Sequence, residues 1–128
     1  MRRAILLLVL LLPGACAFFE PSGQRFVVFF PDSGVTLDDA AAKQVVVNAA
    51  AYALDHPDRA IRVDGFADKN GPTDVNTEIT RSRVETVIKG LTSNGVPVTR
   101  IARREVGEVP FTLDSQESRR VTIVVGRP

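Results

Sequence analysis

The most informative run of this chain is twelve residues long and reads Asn76-Thr77-Glu78-Ile79-Thr80-Arg81-Ser82-Arg83-Val84-Glu85-Thr86-Val87. On a helical wheel with about 100° per residue, Asn76, Thr80, Arg83 and Val87 fall within about 60° of one another. These polar side chains therefore share the face that turns apolar further along the helix. The run predicts a helix over residues 74–93 whose inward face carries an arginine.

Arg83 needs a partner in this position, because a partly buried guanidinium without one is energetically costly. One candidate is Asp68, which ends the preceding predicted strand. In that case the two residues form a structural salt bridge that closes the turn. The other candidate is the carboxylate of a ligand, and spacing alone leaves both interpretations open.

Outward from this helix, β-branched and aromatic stretches predict strands, and apolar spacings of three and four predict a second helix. The predicted elements are a strand at 25–30, a helix at 36–54, a strand at 61–67, the helix at 74–93 and strands at 101–106 and 120–125. This β-α-β-α-β-β order describes an α/β sandwich in which helices pack on a mixed sheet.

The first helix has both a start signal and an apolar stripe. Thr36, followed three residues later by Asp39, resembles an amino-terminal capping arrangement, and His56-Pro57 marks the end. The chain has no second histidine beside His56, which is therefore interpreted as a solvated residue at the helix end. The predicted buried stripe consists of Leu37, Ala41, Val45, Ala49 and Tyr52.

The amino terminus resembles the signal of a bacterial lipoprotein, with basic residues, an apolar run and small residues before Cys16. We predict a signal peptide at 1–15, a lipid-anchored tether at 16–25 and one domain at 26–128. Acylated Cys16 would hold the domain on the periplasmic face of the outer membrane, since Ala17 rather than Asp follows it. The alternatives are cleavage after Ala17, giving a soluble periplasmic protein, and an uncleaved anchor.

The composition argues against several classes of function. Without residues 1–15, which include two arginines, 14 basic side chains face 15 acidic ones, so the mature charge is about −1. This balance gives no electrostatic footprint for nucleic acid. The sequence also offers no glycine-rich phosphate loop, no activated Cys or Ser and no metal-ligand cluster. It therefore predicts a protein without catalysis, cofactor or metal.

The run at 76–87 resembles the signature N-x-x-L-S-x-x-R-A-x-x-V of OmpA-like domains. It follows Gly-Phe-Ala-Asp at 65–68, where that family reads G-H-T-D, and the fifteen-residue interval from Asp68 to Arg83 is the family's. Residues 106–110, Val-Gly-Glu-Val-Pro, resemble the family's Y-G-E-x-x-P, and residues 118–121, Ser-Arg-Arg-Val, resemble N-R-R-V. The resemblance covers about 27–125, nearly the whole predicted mature chain.

The resemblance implies a site for the diaminopimelate of the peptidoglycan stem peptide. Asp68 would accept the ligand ammonium, and Arg83 would grip its carboxylate with two parallel hydrogen bonds. Asn76 and Thr80 would add neutral hydrogen bonds beside this clamp. Arg120 would line or brace the pocket, although a role in keeping the sheet edge soluble is equally compatible with its position.

The implied function is noncovalent tethering of the cell wall to a membrane by a small lipoprotein. The alternative is an OmpA-like interaction protein whose pocket has drifted and which docks on another envelope protein. Phe66 and Ala67, in place of His and Thr, favour that alternative because they remove two polar groups near the predicted clamp. An envelope hydrolase is disfavoured by the missing catalytic groups.

Overall fold

The computed structural model describes residues 23–67, 72–108 and 118–126, so the predicted signal peptide, Cys16 and Asp68 lie outside the described residues. The elements are β1 (Gln24–Phe29), α1 (Ala40–Asp55), β2 (Ala60–Ala67), α2 (Thr73–Ser93), a 3₁₀ turn (Val98–Arg100), β3 (Ile101–Glu108) and β4 (Arg120–Gly126). This order confirms the predicted β-α-β-α-β-β arrangement. Within the described ranges no helix is long and apolar enough to cross a membrane.

The four strands form one mixed sheet in the order β1-β4-β2-β3. The strand β4 runs antiparallel to both β1 and β2, while β3 runs parallel to β2. A parallel pair needs a crossover connection, which α2 provides between β2 and β3. The last strand of the chain is therefore inserted between the first two, and the mixed sheet is confirmed.

The core lies between the two helices and one face of the sheet. Val121, Ile123 and Val125 alternate along β4 and are fully buried, as are Ile61 and Val63 on β2. Each such side chain contributes about 1.5–3 kcal/mol when it leaves water. The intervening positions of the same strands face away from the helices, which is the alternation that strand geometry imposes.

The start of α1 differs from the prediction by four residues. Asp39 is the amino-terminal cap, and its carboxylate accepts a hydrogen bond of 3.0 Å from the Ala42 amide. The Thr36 hydroxyl instead donates to Asp38, so Thr36 lies in the preceding loop. Of the predicted capping pair, Asp39 is therefore the cap residue, and Thr36 takes no part in capping the helix.

The buried face of α1 is correspondingly rotated from the predicted stripe. Of the predicted residues, Ala49 is fully buried, Val45 and Tyr52 are half-buried, and Ala41 is exposed. Leu37 packs half-buried against the core but lies before the helix begins. Because five of the first eleven helical residues are alanine, the sequence offers overlapping stripes of similar hydrophobicity. The residues that the fold buries are Ala42, Val46, Ala49, Ala50 and Ala53.

A close approach between α2 and β2 depends on Gly65. A Cβ atom at Gly65 would collide with the Val84 side chain and would lie 2.9 Å from Thr80 Cγ2. The absence of this atom lets the helix rest directly on the strand. As a result, the inward residues of α2 lie at the end of β2, immediately before the position of Asp68 in the chain.

Candidate functional site

The inward row of α2 is buried as the helical wheel predicts. Asn76, Thr80 and Arg83 are 5%, 1% and 1% exposed, respectively. The Thr80 hydroxyl donates to the Asn76 carbonyl oxygen at 2.8 Å, which uses its hydrogen within the helix. The structure therefore brings these three predicted site residues together on one face, and Arg83 is the largest fully buried side chain among the described residues.

Arg83 holds the loop between β1 and α1. Its Nε donates to the Gly34 carbonyl oxygen at 2.8 Å, and its Nη2 donates to the carbonyl oxygens of Asp32 and Pro31 at 2.6 and 3.2 Å. The guanidinium also lies 5.3 Å from the centre of the Phe30 ring. From the sequence, the partner of Arg83 could be either Asp68 or a ligand carboxylate. Within the described residues, its hydrogen bonds go instead to backbone carbonyls. The Asp68 alternative lies outside the described residues.

The loop from Pro31 to Gly34 is itself a compact turn attached to α2 at a second point. The Gly34 amide donates to the Pro31 carbonyl oxygen at 2.9 Å, which closes the turn. One helical turn beyond Arg83, the Thr86 hydroxyl donates to the Val35 carbonyl oxygen at 2.7 Å. The sequence signalled the turn through its Pro-Asp-Ser-Gly composition, but a contact between this turn and a helix fifty residues later has no local signal.

Asn76 is paired with a residue to which the sequence assigned no role. Its Nδ2 donates to Glu108 Oε1 at 3.0 Å. A β-bulge makes this contact possible, because the register of β2 with β3 shifts between Gly65 and Phe66. The extra residue lies on β3, so the side chains that follow it, including Glu108, occupy the face opposite to the one that unbroken alternation would give them. Gly107, with φ +75°, supplies the left-handed backbone that such a bulge favours.

Arg120 lies on the other side of the sheet from Arg83. Its guanidinium is 4.2 Å from the centre of the Phe66 ring. Gly65 faces α2, so Phe66, the next residue of the strand, faces away from the helices. The structure therefore places Arg120 against the strand that leads to the site rather than beside Arg83, a position that suits bracing.

The neighbouring Arg119 lies closer to the loop that Arg83 holds. It approaches Asp32 with an Nη1 to Oδ1 distance of 3.5 Å, and its carbonyl oxygen accepts from the Phe30 amide at 3.0 Å. The sequence pointed to Arg120 and gave no role to Arg119. Arg119 immediately precedes β4 and faces the loop, whereas Arg120, the first residue of β4, faces away from the helices.

In the part of the chain that the structure describes, no three His, Cys, Asp or Glu side chains cluster as ligands for a metal ion. The polar groups described at the site are a guanidinium, an amide, a hydroxyl and the Glu108 carboxylate. Such groups can bind charged and hydrogen-bonding ligands.

Two solved structures have a similar fold. The crystal structure of the peptidoglycan-associated lipoprotein from Burkholderia pseudomallei is 23% identical and has a TM-score of 0.70, covering 78% of this chain and 89% of that chain. The OmpA-like domain of FopA1 from Francisella tularensis is 16% identical with a TM-score of 0.71, covering 81% and 72%. At these identities the similarity shows the fold.

Comparison of sequences leads to the same family. Over 80 residues the chain is 30% identical to the probable lipoprotein YiaD of Escherichia coli (strain K12), covering 62% of this chain and 36% of YiaD, so it spans about a third of that relative. The family profile of OmpA matches residues 29–123. Because this match runs from the end of β1 into β4 and includes the whole inward row of α2, the chain belongs to the OmpA family.

Proposed function

We propose that this chain binds peptidoglycan noncovalently, without turnover, at the end of the sheet where α2 begins. The observation that carries this proposal is a fully buried arginine on the same helical face as Asn76 in an OmpA-family domain. A protein with this fold is, by its name, a peptidoglycan-associated lipoprotein. The described site and the family therefore support the same class of ligand.

The ligand in this proposal is the diaminopimelate of the stem peptide, an amino acid with both an ammonium and a carboxylate. Arg83 grips the carboxylate. The three loop carbonyls hold the plane of the guanidinium in one orientation, and this preorganisation lowers the entropic cost of binding. Asn76 lies in the first turn of α2, where the helix dipole favours a nearby anion.

Asp68 supplies the opposite charge and accepts the ligand ammonium. It directly follows Ala67, which pairs in register with Glu108, and Glu108 in turn contacts Asn76. The signature of the family, in which an aspartate follows the strand at this point, supports this role for Asp68. Thr80 contributes mainly shape, since its hydroxyl hydrogen is used by the helix.

The two substitutions before Asp68 have different consequences in this proposal. Phe66 faces the side of the sheet opposite Arg83, so the aromatic ring removes no polar group from the clamp. Ala67 is 3% exposed and faces the helix layer, so any loss of ligand affinity arises there. Arg120 acts indirectly, by holding Phe66 and therefore the strand that ends at Asp68.

The lipid anchor is the second part of the proposal. Acylated Cys16 attaches the chain to the outer membrane. Because β1 already begins at Gln24, the tether before it is shorter than predicted and extends by at most about 25 Å. Support comes from the lipobox-like sequence and from the relative named as a probable lipoprotein. Cleavage after Ala17 would instead leave a soluble periplasmic domain with the same ligand. Intact-mass measurement of the membrane fraction distinguishes a lipid adduct from an amino terminus at Phe18.

Cosedimentation with purified peptidoglycan tests the binding proposal. The domain should sediment with the polymer, and a free diaminopimelate-containing stem peptide should displace it. Chromatography of the supernatant should show no released muropeptides, because the described site contains no activated nucleophile or metal cluster. Release of muropeptides that increases with time would assign the chain to the hydrolases instead.

A further inference from the structure

The sheet has a second face, turned away from both helices, which we call the open face. Strand alternation opposite the buried core residues defines it, and the register aligns its side chains in rows across the strands. Its residues are Arg25, Val27 and Phe29 of β1, Arg120, Thr122 and Val124 of β4, Arg62, Asp64 and Phe66 of β2, and Ala102 and Arg104 of β3.

The charge of the open face is strongly asymmetric. Among the described residues of this face there are four arginines, no lysine and one carboxylate, a net charge of +3, whereas the predicted mature chain is close to neutral. The single acid, Asp64, is 3% exposed and receives hydrogen bonds of 3.0–3.1 Å from both Arg62 and Arg104. The side chains of those two arginines remain 41% and 56% exposed. Asp64 therefore positions two cations at the surface and neutralises only one of them.

Apolar side chains lie between these cations. Phe29, at the edge of the face, is 43% exposed, and Val27 and Val124 are partly exposed. Arginine and exposed aromatic residues are the types enriched in the centres of protein–protein interfaces. Arginine also recognises carboxylates with a planar fork of donors, which a lysine-rich face does not offer.

The arginines are spaced along the strands in a way that suits an extended partner. Arg25 and Arg62 share one row, Arg104 lies in the next row, and Arg120 lies in the row beyond. Rows on one face are about 6.6–6.8 Å apart, which equals the distance between alternate side chains of an extended peptide. A second copy of this chain fits poorly, because a symmetric face-to-face pair would oppose its own arginines.

We infer that the open face binds an extended acidic segment of a partner protein, with carboxylates at alternate positions directed toward the arginine rows. Arg25 pairs with a carboxylate near one end of the segment, and the Asp64-anchored pair, Arg62 and Arg104, binds the carboxylates further along it. This surface is distinct from the proposed peptidoglycan site, so the domain can hold both ligands at once.

The experiment uses the full chain as the expressing bacterium processes it, and a fluorescently labelled peptide of eight alternating Glu and Thr residues as the probe. Two control peptides have alternating Gln and Thr, or four Glu followed by four Thr. Binding is measured by fluorescence anisotropy with the wild type and with Arg25→Glu, which changes a residue outside the core. Lys43→Glu on α1 is the matched control, because it makes the same change in net charge on the helix side.

The alternating acidic peptide should bind more tightly than both controls, and Arg25→Glu should weaken it about tenfold, as expected for reversing one exposed ion pair. Lys43→Glu should change its affinity less than about twofold. Equal effects of the two variants, or equal binding of the block peptide, would overturn the inference, since either indicates unspecific attraction. Binding to anionic phosphatidylglycerol vesicles without binding to the alternating peptide would also overturn it and would assign the face to a membrane surface.

Discussion

Replacing Arg83 by alanine separates the structural role of this side chain from its proposed role in ligand binding. In the folded domain its guanidinium makes three hydrogen bonds to the carbonyl oxygens of Pro31, Asp32 and Gly34. The substitution removes all three donors together with a side chain that is only 1% exposed. We expect a loss of stability even in the absence of any ligand.

The magnitude follows from the carbonyls that remain. A buried polar group that loses its partner costs about 1–3 kcal/mol. Pro31 and Asp32 are themselves exposed, so water recovers part of the loss at the first two residues of the turn. We therefore expect a decrease of about 3–5 kcal/mol in the free energy of unfolding, which is a large part of the about 5–15 kcal/mol of an ordinary domain.

Urea unfolding followed by circular dichroism measures this change, and Arg81→Ala is the matched control. Arg81 lies on the same helix but is 52% exposed and pairs only with Glu78 and Glu105 in the described residues. Its removal should cost less than about 1 kcal/mol. Arg83→Lys should recover only part of the loss, because one ammonium does not reproduce the planar fork that spans Gly34 and Asp32.

Hydrogen exchange of the Gly34 amide gives an independent readout. This amide closes the loop turn on the Pro31 carbonyl oxygen, and Arg83 holds that turn in place. Its exchange should accelerate in Arg83→Ala at a temperature where the variant is still folded. If Arg83→Ala is as stable as Arg81→Ala and Gly34 keeps its protection, Arg83 does not hold the loop and the reasoning is refuted.

Three further predictions concern the helix contact, the bulge and the anchor. Gly65→Ala should destabilise the domain by about 1–3 kcal/mol in thermal unfolding, because its Cβ would collide with Val84; an unchanged melting temperature would show that α2 can move away freely. Glu108→Ala should weaken peptidoglycan binding about threefold to tenfold by releasing Asn76 Nδ2, with Glu105→Ala as the control on the same strand, and equal affinities of the two variants would exclude that role. Cys16→Ser should move the chain from the membrane fraction to the soluble periplasm in cell fractionation, and an unchanged distribution would exclude acylation at this residue.

The sequence predicted the elements of the fold because their signals are local. Alternation of apolar residues along the strands and the polar row on α2 each depend on residues within one element. The start of α1 was displaced because Thr36 and Asp39 are both good capping residues and only packing selects between them. In an alanine-rich helix such as α1, several faces are similarly apolar, so the sequence does not show which residue begins the helix.

The burial of the polar row on α2 was predictable, but its contacts were not. Helical spacing alone put Asn76, Thr80 and Arg83 on the inward face, whereas their ligand-binding role came from the family resemblance and stays a prediction. The loop carbonyls that Arg83 binds are about fifty residues away in the sequence, and backbone acceptors have no residue-type signal. The contact between Asn76 and Glu108 depends on a bulge, whose only trace in the sequence is Gly107.

Equilibrium binding to purified diaminopimelate-containing peptidoglycan tests the central claim most directly. The measurement compares the wild type, Arg83→Lys and the surface control Arg81→Lys at a temperature at which all three are folded. We predict saturable binding of the wild type and of Arg81→Lys that free stem peptide displaces. Arg83→Lys should bind at least about thirtyfold more weakly, because lysine lacks the fork that the loop carbonyls hold in place, and the ligand carboxylate therefore loses an oriented guanidinium partner. Wild-type protein that does not sediment with the polymer, or equal affinities for folded Arg83→Lys and Arg81→Lys, would contradict the account.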